Sequence, residues 1–238
     1  MPAHLYAMEG DFAVPGARSV EDEKFDQVYP SRIRKLSALH WTPVRVAAEA
    51  AKLLVAAPGT RVLDVGCGPA KFCLVAASLT GGSFTGVEQR EELVAAARNA
   101  VRRLQLNDVE IIHGNVLDLA FTHYDAFYLY NPFEENMARG HKIDATISLS
   151  PLLFKRYNRY VAAQLSAMPI GTRAVTYAGY ADEIPACYDC ESALFGDELK
   201  LWIKRREDDP DIERLGLHTS RSYRGQIGWG PPKSCPTS

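Results

Sequence analysis

Residues 62–71 read VLDVGCGPAK, and they predict how the neighbouring chain folds. The apolar run at 62–65 is typical of a buried central strand in a parallel sheet. Gly66 and Gly68 carry no Cβ, so a ligand can approach their backbone closely. The residues that follow predict a helix from about 70 to 79, whose unpaired N–H groups point at that ligand. The stretch therefore predicts a strand, a ligand-binding turn and a helix.

Two details distinguish this turn from the fingerprint of dinucleotide-binding enzymes. That fingerprint has a third glycine three residues after the second, where this chain has Lys71. It also has an apolar residue where Asp64 stands, two residues before Gly66. An acid at the carboxyl end of the first strand suits a ligand with a cationic amino group. A plain strand-to-helix turn is the alternative explanation of the same residues.

The pattern resembles motif I of the seven-strand S-adenosylmethionine-dependent methyltransferases, (D/E)-x-G-x-G-x-G, with Ala70 in place of the last glycine. The resemblance extends over roughly residues 42–205 at the level of motifs and element order. It implies S-adenosylmethionine as the cofactor and S-adenosylhomocysteine as the product. The cofactor-binding residues that it implies in this motif are Asp64, Gly66, Cys67 and Gly68.

Residues 83–88, SFTGVE, predict a second strand that ends in an acid. An acid ~20 residues after such a glycine turn is the expected ribose-binding group. The carboxylate of Glu88 can accept hydrogen bonds from both ribose hydroxyls. The resembled family has a second motif of this kind, which assigns Glu88 and the adjacent Gln89 to the cofactor. The alternative is a solvated glutamate that caps the next helix.

A third predicted strand, residues 109–113, is followed by Gly114, Asn115 and Val116, where the family commonly has Gly-Asp-Ala. In the family, an acid or amide at the middle position contacts the adenine amino group, which assigns Asn115 and Val116 to the cofactor. The carbonyl oxygen of Asn115 can accept that hydrogen bond. A turn-forming asparagine is the alternative.

The fourth predicted strand, residues 124–130, ends where the methyl acceptor is expected. Ligands of open parallel sheets bind outside the carboxyl ends of strands, near the point where strand order reverses. Residues 131–133, NPF, resemble the (D/N/S)-P-P-(Y/F/W) motif of amine and amide methyltransferases, one proline short. We expect an extended backbone before Pro132 and a proton acceptor at Glu134 or Glu135. The catalytic candidates are Asn131, Pro132, Phe133 and Glu134, and Asn131 is also a cofactor candidate. A plain strand-ending turn is the alternative.

Three further cofactor candidates flank the first strand. Thr42 is a good N-cap, and Pro43 a good first residue, for a helix that runs to about residue 55. In several members of the resembled family, an element at this position touches the methionine end of the cofactor, which makes Thr42 and Trp41 candidates. Lys71 is a candidate partner of the cofactor carboxylate, and a solvated Lys71 is the alternative.

The N-terminal residues precede all of these motifs. Phe12, Phe25 and Tyr29 are candidates to fold over the substrate pocket as a lid. A loosely attached arm that packs two aromatic side chains on the body is the alternative. The predicted division is an N-terminal cap or lid at 1–41, a methyltransferase domain at 42–206 and a partly flexible C-terminal tail at 207–238.

Further elements complete an α/β pattern. Helices are predicted at 91–106 and 150–167, a fifth strand at 173–177 and another strand at 199–203. The last strand is expected to belong to an antiparallel hairpin. The resulting fold class is a three-layer, Rossmann-like, doubly wound α/β sheet, mostly parallel, with a C-terminal antiparallel hairpin.

The composition is that of an ordinary water-soluble domain. The 238 residues are 47% hydrophobic and 24% charged, with a formal net charge of −2, which gives no general attraction to nucleic acid or membrane. Neither a membrane-spanning run nor a signal-peptide pattern is visible. The five cysteines lack framework spacing, so we expect reduced thiols and a cytoplasmic location. Cys187 and Cys190 form a single Cys-x-x-Cys, so hairpin packing is expected there and no metal site.

The motifs together predict methyl transfer from S-adenosylmethionine to an amine. A protein lysine is preferred among amines, because the Thr42–Pro43 element and the short Asn-Pro-Phe tip look like seven-strand protein-lysine methyltransferases. Methylation of a small molecule at nitrogen or oxygen is the alternative, since an N-terminal lid would enclose a small acceptor. Nucleic-acid methylation and a non-catalytic cofactor-binding module also remain open.

Overall fold

The computed structural model describes residues 19–137, 141–179 and 181–208. Its helices and strands, in chain order, are α1 Val20–Phe25, α2 Ser31–His40, α3 Val44–Leu54, β1 Arg61–Val65, α4 Lys71–Leu79, β2 Ser83–Glu88, α5 Glu91–Leu104, β3 Val109–His113, β4 Ala126–Tyr130, α6 Pro151–Ser166, β5 Arg173–Tyr177, β6 Tyr188–Leu194 and β7 Leu199–Lys204.

The strands form one seven-stranded sheet in the order β3-β2-β1-β4-β5-β7-β6. The first five strands are mutually parallel, and β7 runs antiparallel to both of its neighbours, β5 and β6. The predicted fold class is therefore confirmed, including the C-terminal hairpin. Strand order reverses between β1 and β4, so the carboxyl ends of these two strands flank the switch point.

Helices cover both faces of the sheet. Because successive strand side chains point to opposite faces, Val62 of β1 packs with α3 and α4, while Leu63 packs with α6. Both side chains are fully buried, as expected for the central strand of a parallel sheet. This central position of β1 sets its glycine turn at the middle of the sheet's carboxyl edge.

Most predicted boundaries agree with the structure to within a few residues. Helix α5 ends at Leu104 because Gln105 takes a left-handed conformation, φ 55°. Strand β4 begins at Ala126, after a short 3-10 turn at Phe121–His123. Strand β6 had no sequence prediction, because its residues alternate irregularly between buried and exposed at the edge of the sheet.

The cysteines of the hairpin lie where packing was expected. Cys187 is a buried free thiol just before β6, as are Cys67 and Cys73 elsewhere in the fold. Cys190, within β6, is disulfide-bonded, so the expectation of reduced thiols throughout is wrong at that residue. Among the described residues, no group of three or more His, Cys, Asp or Glu side chains is arranged to hold a metal ion. None of the helices in the described ranges has the length and apolar character needed to cross a membrane.

Helix α1 and the first half of α2 pack on the body of the fold. Tyr29 and Ile33 are buried in a cluster with Leu74 of α4 and Leu93 of α5, and Phe25 packs against the same cluster. The expectation that Phe25 and Tyr29 form a lid is therefore wrong. Phe12 and the rest of residues 1–18 lie outside the described residues, as do residues 209–238 of the predicted tail.

A buried ion pair fixes this N-terminal segment. The Nζ atom of Lys71 lies 2.7 Å from Asp22 Oδ1 and 2.8 Å from Asp26 Oδ1, and it donates to the Ser37 hydroxyl at 3.2 Å. The Lys71 side chain is 2% exposed. Lys71 is thus neither solvated nor free to pair with a cofactor carboxylate, and both sequence interpretations of it are corrected.

Asp22 also replaces the cap that was predicted at Thr42. The first helical N–H of α3, at Val44, donates to Asp22 Oδ1 at 2.9 Å. Pro43 is the N-cap residue of α3 and supplies no side-chain acceptor. The carboxylate that begins α3 therefore comes from α1, twenty-two residues earlier in the chain.

Replacing Lys71 by methionine tests how much this ion pair contributes to the free energy of unfolding. Lys71→Met leaves two buried carboxylates without their cation, so we expect the free energy of unfolding to fall by about 3–5 kcal/mol. The matched control is Lys52→Met, which removes an exposed pair with Glu49 and should cost less than about 1 kcal/mol. Urea denaturation of both variants measures the difference, and equal losses would contradict a structural role for Lys71.

Candidate functional site

A groove crosses the carboxyl edge of the sheet at the switch point. It encloses about 970 Å³ of space, part of it open to solvent. The turn after β1, the end of β2 and the tip of β4 form its floor, and the end of α2 and residues 141–149 form its walls. The sequence-predicted residues that line it are Trp41, Gly66, Gly68, Glu88, Gln89, Val116, Asn131, Pro132, Phe133 and Glu134.

Glu88 is the acid at the end of β2, and it is buried at 7% exposure. Its Oε2 accepts a hydrogen bond from the N–H of Gly68 at 3.2 Å, and its Oε1 accepts one from the N–H of Arg90 at 2.8 Å. A carboxylate has about four acceptor positions, and Glu88 lines the groove, so the backbone donors leave acceptor capacity for a ligand there. Burial raises the pKa of Glu88, and the N–H donors act against that shift. The alternative of a solvated cap does not fit this burial.

The glycine turn is held from the N-terminal side by Trp41. A Cβ added to Gly68, whose φ is +56°, would lie 2.7 Å from the indole ring of Trp41. The indole N–H donates to the carbonyl of Ile33 in α2 at 3.1 Å. Only glycine allows this contact, so the ring and the turn together form one side of the groove.

Three predicted cofactor residues lie near the turn but do not line the groove. Thr42 is buried, and its hydroxyl shares a 2.9 Å hydrogen bond with the Tyr128 hydroxyl. Cys67 directs its N–H to the carbonyl of Val87 at 3.0 Å and is buried behind the turn. Asp64 is the third, and it is also buried.

Asp64 points to the α4 side of the sheet. Its Oδ2 accepts a weak hydrogen bond from the thiol of Cys73 at 3.4 Å, and the residue is 4% exposed. Burial raises the pKa of Asp64 to about 7. A direct contact between this carboxyl and a ligand amino group in the groove is therefore not built into the geometry.

The side chain of Asn115 stabilises the turn after β3. Its Oδ1 accepts from the N–H of Leu117 at 3.0 Å, which agrees with the alternative of a turn-forming asparagine. Its Nδ2 donates to Gln89 Oε1 and to the Tyr157 hydroxyl, each at 3.0 Å. Asn115 does not line the groove itself, whereas Gln89, Val116 and Tyr157 do. It therefore holds lining residues in position.

Asn131 departs from the expected backbone at the tip of β4. Its φ is +40°, so the prediction of an extended conformation before Pro132 is wrong. Asparagine tolerates the left-handed region better than most residues. Its Nδ2 donates to Glu134 Oε2 at 3.2 Å, and a Cβ on Gly179 would lie 1.8 Å from its Oδ1. The side chain is thus fixed between the start of the next turn and the tip of β5.

The aromatic residue of this tip is buried as predicted. The ring of Phe133 stacks on Tyr157 of α6, with centroids 5.0 Å apart and an angle of 19° between the rings. Phe133 is 6% exposed, and both rings line the groove. They give the β4 side of the groove an apolar, rigid wall.

Comparison with known proteins agrees with this geometry. Residues 56–138 match the family model described as a methyltransferase domain. This segment is therefore similar in sequence to a methyltransferase domain, and it lies within a Rossmann-like fold. It contains the glycine turn, Glu88 and the β4 tip.

Curated relatives match over part of their length. A demethylmenaquinone methyltransferase of Listeria welshimeri is 35% identical over 100 residues, which are 41% of this chain and 42% of that protein. One of Bacillus cereus is 33% identical over 75 residues, 31% of this chain and 32% of that protein. The chain thus aligns with less than half the length of these relatives.

Solved structures share the fold. An RNA methyltransferase from Salinibacter ruber, in complex with S-adenosyl-L-homocysteine, aligns with a TM-score of 0.52 at 20% identity, covering 72% of this chain and 97% of that one. TrmN from Thermus thermophilus aligns with a TM-score of 0.52 at 19% identity, covering 72% of this chain and 51% of that one.

Sequence reasoning missed Arg90, which ties the end of β2 to the wall of the groove formed by residues 141–149. Arg90 is 5% exposed. Its Nη2 lies 2.8 Å from Glu135 Oε2, its Nε lies 3.1 Å from Asp144 Oδ1, and its Nη1 lies 4.0 Å from Glu88 Oε1. The N–H of Ile143 donates to the same Glu135 oxygen at 2.9 Å.

This wall lies beyond the residues that match the domain family. His141, Ile143, Ile147 and Leu149 from it line the groove. The sequence shows only an arginine two residues after the end of β2, and its partners lie 45 and 54 residues away. Such partners cannot be paired without the tertiary structure.

The buried carboxyl of Asp64 gives the domain a measurable pH dependence. Its folded-state pKa of about 7 lies above the ordinary value of 3.8, so the folded protein binds more protons than the unfolded chain between these values. The contribution of Asp64 to the free energy of unfolding therefore falls as pH rises through that window. Asp64→Asn removes this dependence and should gain on the order of 2–3 kcal/mol relative to the unmodified protein between pH 5 and pH 8.

Urea denaturation without ligand at both pH values measures the gain. The control is Asp108→Asn, at an exposed carboxyl before β3, which should leave the pH dependence unchanged. An Asp64→Asn variant with the same pH dependence as the unmodified protein would show that Asp64 is ionised in the fold.

Proposed function

We propose that this protein transfers a methyl group from S-adenosylmethionine to an amine. The observation that carries the proposal is the buried Glu88 carboxylate, which receives the N–H of Gly68 and opens into a groove that reaches Asn131. The hydroxyls of a ribose can donate to the remaining acceptor capacity of Glu88. The narrow turn at Gly66 and Gly68 accommodates a ligand close to the backbone.

Other lining residues suit the remaining parts of this cofactor. Val116 and the adjacent Gly114 offer an apolar surface for the adenine, beside the polar side chain of Gln89. The methionine end would lie toward Trp41 and the tip of β4. When bound, the cofactor supplies an electrophilic methyl group on a sulfonium.

The residues at the tip of β4 would position the acceptor and keep water away from it. Phe133, stacked on Tyr157, gives a dry wall, and the fixed Asn131 side chain gives a polar contact beside it. Glu134 is exposed and hydrogen-bonded to Asn131, so its carboxylate can accept the proton that an amine loses on methylation.

A small aromatic acceptor is the second candidate. The matched relatives are named demethylmenaquinone methyltransferase, and the Phe133–Tyr157 stack offers a surface for a flat ring. The earlier preference for a protein lysine has no support among these relatives. Nucleic acid is a weaker candidate because the formal net charge is −2. A cytoplasmic location remains a prediction.

Glu88→Gln tests the cofactor site. The change keeps an oxygen for one backbone donor but removes charge-assisted bonds to the ribose, so we expect S-adenosylhomocysteine affinity to fall by about 2–4 kcal/mol. Alanine is a poorer choice because it would leave the N–H groups of Gly68 and Arg90 without the hydrogen-bond acceptor that Glu88 provides. Calorimetry measures the affinity, which we expect to be about micromolar in the unmodified protein.

The control for that measurement is Glu91→Gln, at the exposed first residue of α5. It should bind S-adenosylhomocysteine like the unmodified protein. Tight binding of a nicotinamide dinucleotide, or an unchanged affinity in Glu88→Gln, would count against this cofactor assignment.

Asn131→Gly tests the acceptor position. Glycine keeps the left-handed backbone while removing the side chain. We expect methyl transfer to slow by about 10²-fold or more, with S-adenosylhomocysteine affinity unchanged, because a positioning contact is lost. Transfer of radiolabelled methyl from S-adenosylmethionine into cell lysate measures the rate, with protein, nucleic-acid and small-molecule fractions counted separately. A variant that retains the full rate would exclude the role of Asn131.

A further inference from the structure

A second cavity adjoins the groove at the tip of β4, and we call it the side cavity. Asn131, Pro132, Phe133 and Glu134 line both spaces. The side cavity encloses about 430 Å³, part of it open to solvent. Its other walls come from α6 and from the segment after β5. The β4 tip is therefore a wall that the two spaces have in common.

The body of the side cavity is apolar. Phe133 is buried, Phe154 of α6 and Met137 are partly buried, and Ala181 is buried. Aromatic and thioether side chains of this kind bind hydrocarbon chains or rings of varied shape. The walls therefore suit a ligand with an apolar body.

The charged side chains among the described lining residues of the side cavity are all acidic. Its described lining residues include Glu134, Asp182 and Glu183, and none of them is Lys, Arg or His. Glu183 is only 8% exposed. A cationic group is favoured in such surroundings, and an anionic group is repelled. The polarity thus complements an ammonium carried on an apolar body.

We propose that the side cavity is the acceptor subsite and that it binds an alkyl or aryl primary amine as its ammonium ion. This inference rests on the proposed function. The ammonium gives a proton to the Glu134 carboxylate, and the freed nitrogen lone pair forms a bond to the methyl carbon of S-adenosylmethionine. The carbon–sulfur bond breaks with its electron pair going to sulfur, which leaves a neutral thioether and the protonated N-methylated form of the amine.

Three probes of equal chain length test the charge preference: n-hexylamine, n-hexanol and n-hexanoate. Their affinities are measured by saturation-transfer NMR titration on the full chain at neutral pH, with and without saturating S-adenosylhomocysteine. We expect the amine to bind at least about tenfold more tightly than the alcohol, with the carboxylate weakest. Equal affinity for the three probes, or tightest binding of the carboxylate, would overturn the proposal.

Substitutions in the lining of the side cavity test whether the preference for the amine probe arises there. Asp182→Asn and Glu183→Gln should each lower amine affinity several-fold and leave alcohol affinity unchanged, because they remove charge alone. Phe154→Ala should weaken the amine and the alcohol alike. Asp182 is exposed, so its variant remains informative if the buried Glu183 variant fails to fold. The control is Glu110→Gln, at an exposed residue of β3 outside the cavity.

An amine preference that survives both carboxylate changes would overturn the assignment. Calorimetry with S-adenosylhomocysteine on the same preparations separates the two proposals. Absent nucleoside binding would contradict the proposed function, while the probe titrations without nucleoside would still decide the side cavity.

Discussion

The hydrogen bond from the Gly68 N–H to the buried Glu88 carboxylate is the contact on which the rest of the site depends. It joins the turn after β1 to the end of β2, so the backbone that approaches a ligand and the acid that would hold its sugar are positioned together. The carboxylate is costly to bury, and its two backbone donors offset part of that cost. Glu88 therefore contributes to the fold as well as to the proposed cofactor site.

Two buried cations organise what surrounds this contact. Lys71 holds α1 through Asp22 and Asp26, and α1 in turn supplies the first acceptor of α3. Arg90 holds the 141–149 wall through Glu135 and Asp144. In each case a residue next to a ligand-binding loop draws a distant segment onto the domain. Buried ion pairs are poor sources of net stability, but an unpaired buried charge is so costly that they enforce one arrangement.

At the tip of β4, the backbone sets the turn at the switch point and the side chains line the spaces beside it. Asn131 takes a left-handed conformation and contacts both Glu134 and the tip of β5. The turn that results exposes Pro132 and Phe133 to two spaces, the groove and the side cavity. One residue cluster therefore lies between the groove and a cavity with apolar walls and acidic lining residues. This arrangement suits the proposed transfer between two substrates.

The sequence by itself determined the parallel sheet, the glycine turn, the Glu88 position and the β4 tip. These depend on local patterns, namely apolar runs, glycine spacing and the residue that ends each strand, which act within a few residues of one another. Only the tertiary structure decided the partners of Lys71, Arg90 and Asp64. Burial and charge pairing join residues tens of positions apart, and no local sequence pattern predicts which distant carboxylate will pair with a given cation.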